Sequence, residues 1–283
     1  MCTSFKYKNC MGRNFDYEIS YKEEPRKYTQ EKYNIYGMVA GIVEDYPLYY
    51  DAMNEEGLCI AGLNFTNNAY YYEDETVSKN NIAPWELPIK LLGNCKNIDE
   101  AKEYMKTVKI INKPFNQSMP NSPLHWFVCD RNSSIVIEQT KENGLQIYDN
   151  KCDVLTNNPP FDKQSKHCDF KPKWLGKILK KLLPSKFETR GTETYSVPGD
   201  LTSMGRFERV VFFKEKMSES KDLFNPVTQT FHLLDIAKQL YGATPVNDKF
   251  EYTIYSVVYD MNKQLMYVKT YVTNRPIIYD CKV

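Results

Sequence analysis

The stretch MCTSFKYKNCMGRNFD, residues 1–16, has a cysteine at position 2 and ends with an arginine and an aspartate close together. Alternating side chains and the turn residues between them predict two adjacent strands, which bring Cys2 near Arg13 and Asp16. A small residue such as Cys2 permits removal of the initiator Met1. The chain would then start with a thiol and a free α-amine on one residue, which suggests an active site.

An N-terminal cysteine would combine a nucleophile with a base. The thiolate is strongly nucleophilic, and an α-amine, whose ordinary pKa is about 7.7–8.0, works as a base near neutral pH. Arg13 could stabilise the thiolate, and Asp16 could orient the amine. The alternative is that Cys2 stands at position 2 by chance while Arg13 and Asp16 form a surface ion pair. Composition and periodicity do not decide between these interpretations.

The composition is that of an ordinary globular protein. The chain has 283 residues, of which 42% are hydrophobic and 26% charged, and its formal net charge is +1. This balance argues against nucleic acid as the main partner, because phosphate binding usually goes with a basic excess. There is no apolar signal-peptide core, and no stretch approaches the roughly 18 apolar residues of a membrane span. We therefore expect a cytoplasmic protein.

The cysteines and histidines do not have the spacing of a metal site. The eight cysteines contain no C-x-x-C pair, and His125, His167 and His232 are far apart in the sequence. We expect most of the thiols to be reduced core residues. A Cys–His protease is a poor alternative, because His125 is more typical of a buried strand histidine and the position of Cys2 would stay unexplained.

The patterning predicts two antiparallel sheets covered by helices, in one domain over residues 1–283. Strands are predicted at residues 3–9, 35–44, 46–54, 57–65, 124–130, 134–140, 144–150, 152–157, 252–260, 264–272 and 276–280. Helices are predicted at residues 84–95, 97–109, 173–183, 206–217 and 227–240.

Eight motifs together are more specific than any of them alone. They are MCT at 1–3, GRNFD at 12–16, DAMNEEGLCIAGLNF at 51–65, LHWFVCD at 124–130, IVIEQTKE at 135–142, VLTNNPPFD at 154–162, PGDLTSMGRFERVVF at 198–212 and YTIYSVVYD at 252–260. In this order, and over almost the whole chain, the sequence resembles the choloylglycine hydrolases. That family comprises bile salt hydrolases and penicillin V acylases, within the N-terminal-nucleophile (Ntn) hydrolase superfamily.

The resemblance implies an α+β fold, a four-layer αββα sandwich of two antiparallel sheets between helical layers. It also implies hydrolysis of an amide bond in a small-molecule N-acyl conjugate, without metal or cofactor, through a thioester acyl-enzyme. Conjugated bile salts are the first candidate substrate. Penicillin V, an acyl homoserine lactone and an acyl ethanolamine are the alternatives. A homo-oligomer, a homotetramer in the family, is implied as well.

The resemblance assigns six catalytic residues, each present as the expected type. Cys2 supplies the nucleophile and the α-amine base once Met1 is removed. The Arg-Asn-x-Asp motif gives Arg13 and Asp16, which order the charge at Cys2 and orient its amine. Oxyanion donors come from the Asn64 backbone and the Asn157 side chain, and the remaining charge comes from an arginine late in the chain. That arginine is Arg206.

Substrate contacts are expected beside the nucleophile. Aromatic side chains at Phe65, Tyr70 and Tyr71 could line an acyl pocket, because aromatic faces suit a sterol or phenyl group. Asn64 favours a bile salt hydrolase, since an aromatic residue is common there in penicillin acylases. A Gly-rich segment of the family is reduced to Gly191–Thr192.

The basic helix predicted at residues 173–183 has no counterpart in the family. Its apolar stripe could pack on the sheet with the lysines in solvent, or it could contact a membrane surface or an anionic amphiphile. The second reading leads to a hypothesis of another class, a non-catalytic amphiphile- or membrane-surface-binding protein on an Ntn fold. The six intact site residues argue against it.

Overall fold

The hairpin predicted at the start of the chain is present. In the computed structural model, which describes residues 1–43, 45–73, 80–172, 191–219, 224–273 and 275–282, two antiparallel strands face each other over Cys2–Tyr7 and Cys10–Tyr17. Cys2 lies opposite Phe15, and Ser4 lies opposite Arg13. Lys8, in the left-handed conformation with a φ of 53°, makes the turn between the strands.

The described residues form sixteen strands. In chain order they are β1 (Cys2–Tyr7), β2 (Cys10–Tyr17), β3 (Glu24–Tyr28), β4 (Ile35–Val39), β5 (Tyr49–Asn54), β6 (Cys59–Asn64), β7 (Asn81–Ile82), β8 (Lys109–Ile110), β9 (Leu124–Cys129), β10 (Ser134–Thr140), β11 (Gly144–Asp149), β12 (Val154–Leu155), β13 (Thr244–Val246), β14 (Lys249–Asp260), β15 (Leu265–Thr270) and β16 (Ile277–Asp280).

Two seven-stranded antiparallel sheets contain all but two of these strands. The first sheet runs in the order β12-β1-β2-β14-β15-β16, with β13 paired to β14. The second sheet runs in the order β11-β10-β9-β6-β5-β4-β3, and β7 and β8 make a separate parallel pair. The N-terminal hairpin therefore lies inside the first sheet, where both of its strands have neighbours.

Five α-helices occur among the described residues. They are α1 (Leu87–Asn94), α2 (Ile98–Lys106), α3 (Phe161–Gln164), α4 (Ser203–Glu219) and α5 (Pro226–Asp235). The Asn97 side chain caps α2 by accepting from the Glu100 N–H, and Asn225 caps α5 by accepting from the Val227 N–H. No helix that is described has the length and apolar character needed to cross a membrane.

Three apolar clusters define the layers. The central cluster lies between the sheets, with Met11 and Val257 from the first sheet and Ala61 and Phe127 from the second. A second cluster packs α1 and α2 on the outer face of the second sheet. A third packs α4 and α5 on the outer face of the first sheet, around Phe5. The order of layers is helix, sheet, sheet, helix.

Several boundaries predicted from the sequence are wrong. The helix predicted at 227–240 ends at Asp235, because the Gln239 N–H and C=O bond to Thr253 and draw the chain onto β14. The strand predicted at 152–157 is limited to β12, and β3, β7, β8 and β13 were not predicted. The basic helix predicted at 173–183 lies outside the described residues.

The cysteines follow the prediction of reduced core thiols with one exception. Six cysteines are free and buried: Cys2, Cys10, Cys59, Cys95, Cys129 and Cys281. Cys152 and Cys168 instead form a disulfide, which the sequence analysis did not predict. This disulfide encloses a segment that contains β12 and α3.

Candidate active site

The alternation of β1 places Cys2 between the two sheets. Successive side chains of a strand point to opposite faces, so Cys2 enters the central cluster while Thr3 and Phe5 face the helices α4 and α5. Cys2 is only 3% exposed. Its thiol therefore faces the second sheet, and its main chain faces residues on the helical side.

Arg13 is the cation nearest to the thiol. It also points between the sheets, and its Nη2 atom lies 3.8 Å from Cys2 Sγ. The same nitrogen donates to the Gly62 carbonyl at 2.6 Å, and Nη1 forms a buried ion pair with Asp51. Burial alone would lower the pKa of Arg13, but Tyr255 and Asp51 raise it overall. Arg13 is therefore a fixed positive charge beside Cys2.

Asn157 lies against the main chain of Cys2 because of the register of β12. Ser4 pairs with Leu155, so the antiparallel register, continued by two residues, sets Cys2 beside Asn157. The Cys2 N–H donates to Asn157 Oδ1 at 2.6 Å. Gln164 fixes this segment, since its Nε2 donates to the Asn157 carbonyl at 2.6 Å.

Arg206, on α4, joins three partners at the site. Its Nη1 donates to the Cys2 carbonyl at 2.6 Å and to Thr3 Oγ1 at 2.5 Å, and its Nη2 donates to Asn157 Oδ1 at 2.9 Å. The side chain is fully buried, and burial lowers the pKa of Arg206 from its ordinary value. Arg206 thus holds the Cys2 main chain and the Asn157 amide in one arrangement.

Asp16 faces the helical side beside Arg206. Its Oδ2 atom is 3.9 Å from Arg206 Nη1, and its Oδ1 atom accepts from Thr253 Oγ1 at 2.6 Å. Burial raises the pKa of Asp16, although Arg206 opposes that shift. A β-bulge explains the contact: Thr253 pairs with Asp16 and Tyr255 pairs with Phe15, so side chains two residues apart on β14 point to opposite faces.

Asn64 contributes main-chain groups at the end of β6. The Phe65 N–H donates to the Pro123 carbonyl, so the Asn64–Leu124 pair is a narrow pair whose polar groups point away from β9. The register between β5 and β6 ends at Asp51–Ala61. The Asn64 carbonyl beyond that point accepts from Asn157 Nδ2 at 2.8 Å.

A cavity of about 360 Å³ lies next to these residues and contains Met1. The Met1 α-amine donates to the Asp16 carbonyl at 3.0 Å and forms an ion pair with the buried Glu251 carboxylate. Burial lowers the pKa of this α-amine. The lining residues are Met1, Tyr17, Glu18, Asn64, Thr66, Asn157, Asn158, Ser203, Val246 and Glu251.

The structure brings the six predicted catalytic residues together but separates them from the predicted acyl pocket. Phe65 is fully buried and stacks on His125 with ring centroids 4.3 Å apart, which argues against its predicted contact with a substrate. Tyr71 donates to the Ser122 carbonyl and packs on the second sheet's outer cluster. Tyr70 stacks edge-on against Tyr72. None of the three predicted residues lines the cavity.

The sequence analysis missed the partners that fix the site from other strands. Asp51 holds Arg13, Thr253 holds Asp16, and Glu251 holds the Met1 amine. One signal was present for Asp51, because a lone carboxylate in the strand YYDAMN requires a buried partner. Thr253 and Glu251 had no comparable signal, since the bulge in β14 sets the faces of the residues that follow it.

Comparison with known proteins gives concordant sequence matches. The profile of the family described as "Linear amide C-N hydrolases, choloylglycine hydrolase family" matches residues 1–280. A "Bile salt hydrolase/transferase" of Lactiplantibacillus plantarum is 43% identical, over 96% of this chain and 89% of that protein. A "Bile salt hydrolase/transferase" of Clostridium perfringens is 31% identical, over 97% of this chain and 91% of that protein.

Solved structures agree with the fold predicted from the resemblance. A mutant conjugated bile acid hydrolase from Clostridium perfringens superposes with a TM-score of 0.86 at 29% identity, over 100% of this chain and 93% of that one. Penicillin V acylase from Agrobacterium tumefaciens superposes with a TM-score of 0.72 at 19% identity, over 99% and 86%. The second likeness concerns the fold alone. The predicted αββα sandwich is confirmed.

Proposed function

This chain belongs to the choloylglycine hydrolase family of linear amide C–N hydrolases, and we propose that it hydrolyses conjugated bile salts with Cys2 as its nucleophile. The choice of bile salts is supported by relatives whose names assign them bile salts or conjugated bile acids. One observation carries the site: Cys2 has its thiol against Arg13 and its main-chain nitrogen against Asn157 Oδ1, beside a cavity.

The first step forms a thioester. The Cys2 α-amine, freed by removal of Met1, takes the thiol proton, and the thiolate attacks the carbonyl carbon of the amide. The C–N bond breaks as the amine passes that proton to the leaving nitrogen. Burial favours the neutral form of an amine, as the lowered pKa of the Met1 α-amine at the same place illustrates.

The second step returns the enzyme to its starting state. Water attacks the thioester carbonyl, with the α-amine taking the water proton. The carboxylic acid leaves, and the Cys2 sulfur recovers the proton. In this proposal, Asp16 and Asn157 orient the amine, while Arg13 stabilises the thiolate that attacks and leaves.

Oxyanion stabilisation is proposed for two donors at the edge of the cavity. A side-chain amide has two N–H bonds, and Asn157 Nδ2 uses one of them on the Asn64 carbonyl, so the other is available for the oxyanion. The Asn64 main-chain N–H points the same way as its carbonyl, away from β9. Two preorganised donors of this kind are a large contribution to acyl-transfer catalysis.

The cavity is proposed to admit the substrate once Met1 is removed. Its volume of about 360 Å³ lies within the range of small-molecule sites. Met1 is itself one of the lining residues, so its loss enlarges the space beside Cys2. Tyr70 and Tyr71 remain predicted substrate contacts.

The organisation of the protein completes the proposal. We treat residues 1–283 as one catalytic domain, which is supported by a central cluster drawn from both sheets. A small-molecule amide substrate fits the family. A cytoplasmic location and a homo-oligomer remain predictions from the sequence and the resemblance.

Release of the amine from defined substrates tests the proposal. Purified mature enzyme is incubated with glycine- and taurine-conjugated bile salts, penicillin V and an N-acyl ethanolamine, and the released amine is measured with ninhydrin or, for ethanolamine, by mass spectrometry. We expect the highest kcat/KM for a bile salt. The Cys2→Ala protein is the matched control for background hydrolysis.

Other outcomes distinguish the alternatives. Higher kcat/KM for penicillin V would replace bile salts with a phenoxyacyl substrate while retaining the same site. Binding of bile salts without release of any amine would support the non-catalytic amphiphile-binding hypothesis instead. Release by both the wild type and the Cys2→Ala protein would remove Cys2 from the mechanism.

A further inference from the structure

A buried polar cluster lies behind Arg13, on the side away from the cavity. Asp51, on β5, is 0% exposed, and it accepts hydrogen bonds from three side chains of the first sheet. Arg13 Nη1 and the Tyr255 hydroxyl bond to its Oδ2 atom, and the Tyr259 hydroxyl bonds to Oδ1 at 2.6 Å. A carboxylate in an apolar interior is retained at a cost unless such partners compensate it.

The two ends of the Arg13 guanidinium have different partners. Nη1 faces Asp51 and also lies 3.1 Å from the Tyr255 hydroxyl. Nη2 faces the Gly62 carbonyl at 2.6 Å and Cys2 Sγ at 3.8 Å. Because the guanidinium is planar and rigid, fixing Nη1 also fixes the direction of the N–H bonds on Nη2.

We propose that Asp51 is a positioning residue for the reaction: together with Tyr255 it holds Arg13 so that Nη2 faces the Cys2 thiolate. Asp51 touches neither substrate nor sulfur, so it acts through Arg13 alone. The carboxylate also balances the buried guanidinium charge, which lets Arg13 stay charged inside the apolar layer between the sheets. This proposal rests on the proposed role of Cys2 as nucleophile.

Two tyrosines distinguish positioning from simple stabilisation. The Tyr255 hydroxyl bonds to Asp51 and also contacts Arg13 Nη1, whereas the Tyr259 hydroxyl contacts Asp51 on its other oxygen and its carbonyl. Both side chains are buried and lie on β14. Tyr255→Phe and Tyr259→Phe therefore remove the same group from similar surroundings, and only the first removes a contact to Arg13.

The experiment compares these variants and Asp51→Asn with the wild type. Three quantities are measured: kcat and KM for the best conjugated bile salt, the melting temperature, and the rate at which iodoacetamide alkylates Cys2 at neutral pH. Mass spectrometry of the N-terminal peptide reports Cys2 separately from the other free cysteines. The alkylation rate reports thiolate reactivity without any substrate, so it remains informative if bile salts prove to be the wrong substrate.

We expect Tyr255→Phe to lower both kcat and the alkylation rate by about tenfold, with KM within about twofold, and Tyr259→Phe to keep both rates within about twofold of wild type. Asp51→Asn should lower both rates at least as far as Tyr255→Phe. If Asp51→Asn does not fold, the two tyrosine variants still decide the question.

Two results would overturn the proposal. One is an equal loss of kcat in Tyr255→Phe and Tyr259→Phe that follows only their melting temperatures. The other is a folded Asp51→Asn protein with wild-type kcat and wild-type alkylation of Cys2. If no substrate is hydrolysed by the wild type but alkylation falls in Tyr255→Phe alone, the proposed function fails while the positioning role of Asp51 stands.

Discussion

The main-chain nitrogen of Cys2 lies 2.6 Å from Asn157 Oδ1, although the two residues are 155 positions apart in the chain. Pairing of β1 with β12 produces this contact, because Ser4 opposite Leu155 sets Cys2 beside Asn157. Arg206 then donates to the same Oδ1 atom and to the Cys2 carbonyl. The nitrogen that would become the catalytic amine is therefore fixed before Met1 is removed.

Replacement of the nucleophile should abolish hydrolysis without unfolding the protein. We expect Cys2→Ala and Cys2→Ser to lower kcat by at least about a thousandfold, because no other group can form the thioester. Amine release measures the loss, and circular dichroism with a thermal melt checks the fold. A variant that retains a tenth of the wild-type kcat would show that the nucleophile lies elsewhere.

Removal of Met1 should be required for activity. The Cys2 nitrogen is part of a peptide bond while Met1 is present and cannot act as a base. Mass spectrometry should therefore find the active chain shorter by one methionine. An N-terminal tag that is not cleaved should abolish hydrolysis, whereas the same tag at the C-terminus is the matched control. Full activity with Met1 retained would rule out the α-amine as the base.

Loss of the Asn157 side chain should affect chemistry more than binding. Asn157→Ala removes the acceptor for the Cys2 nitrogen and a proposed oxyanion donor, so we expect kcat to fall by about 10²- to 10³-fold. Asn68→Ala is the control, because the Asn68 side chain contacts Thr66 and Asn158 and does not line the cavity. Steady-state kinetics on both variants measure the difference. Equal effects would contradict the assigned role.

Asp16→Asn should be more stable relative to wild type as the pH rises. Burial raises the pKa of Asp16, so the folded chain holds this proton more tightly than the unfolded chain does. The resulting stability is fully present below the unfolded pKa of about 4 and is lost as the pH rises through the folded pKa. The variant lacks this titration, and its amide oxygen can still accept from Thr253.

Thermal melts of both proteins between about pH 4 and pH 8 measure the effect. The melting temperature of Asp16→Asn minus that of wild type should increase with pH, while amine release by the variant is reduced because the orienting charge is gone. A difference that is constant over this range would show that Asp16 titrates alike in the folded and unfolded chains.

Motif order in the sequence predicted more of the site than secondary-structure patterns did. Arg13, Asp16 and Cys2 belong to one hairpin, and its turn could be read from the local sequence. Asn64, Asn157 and Arg206 were found only through the resemblance, since their strands and helix have no local signal for pairing with β1. The partners Asp51 and Thr253 were not found at all.

The sequence by itself determined the fold class, because strand and helix patterns and the ordered motifs are properties of neighbouring residues. It also determined the thiol at position 2, which is a matter of covalent structure. Only the tertiary structure decided what surrounds that thiol. The register of β12 against β1 places Asn157, the bulge in β14 turns Thr253 and Tyr255 to opposite faces, and contact between the sheets pairs Arg13 with Asp51. These are long-range packing choices, and a single chain's local preferences do not specify them.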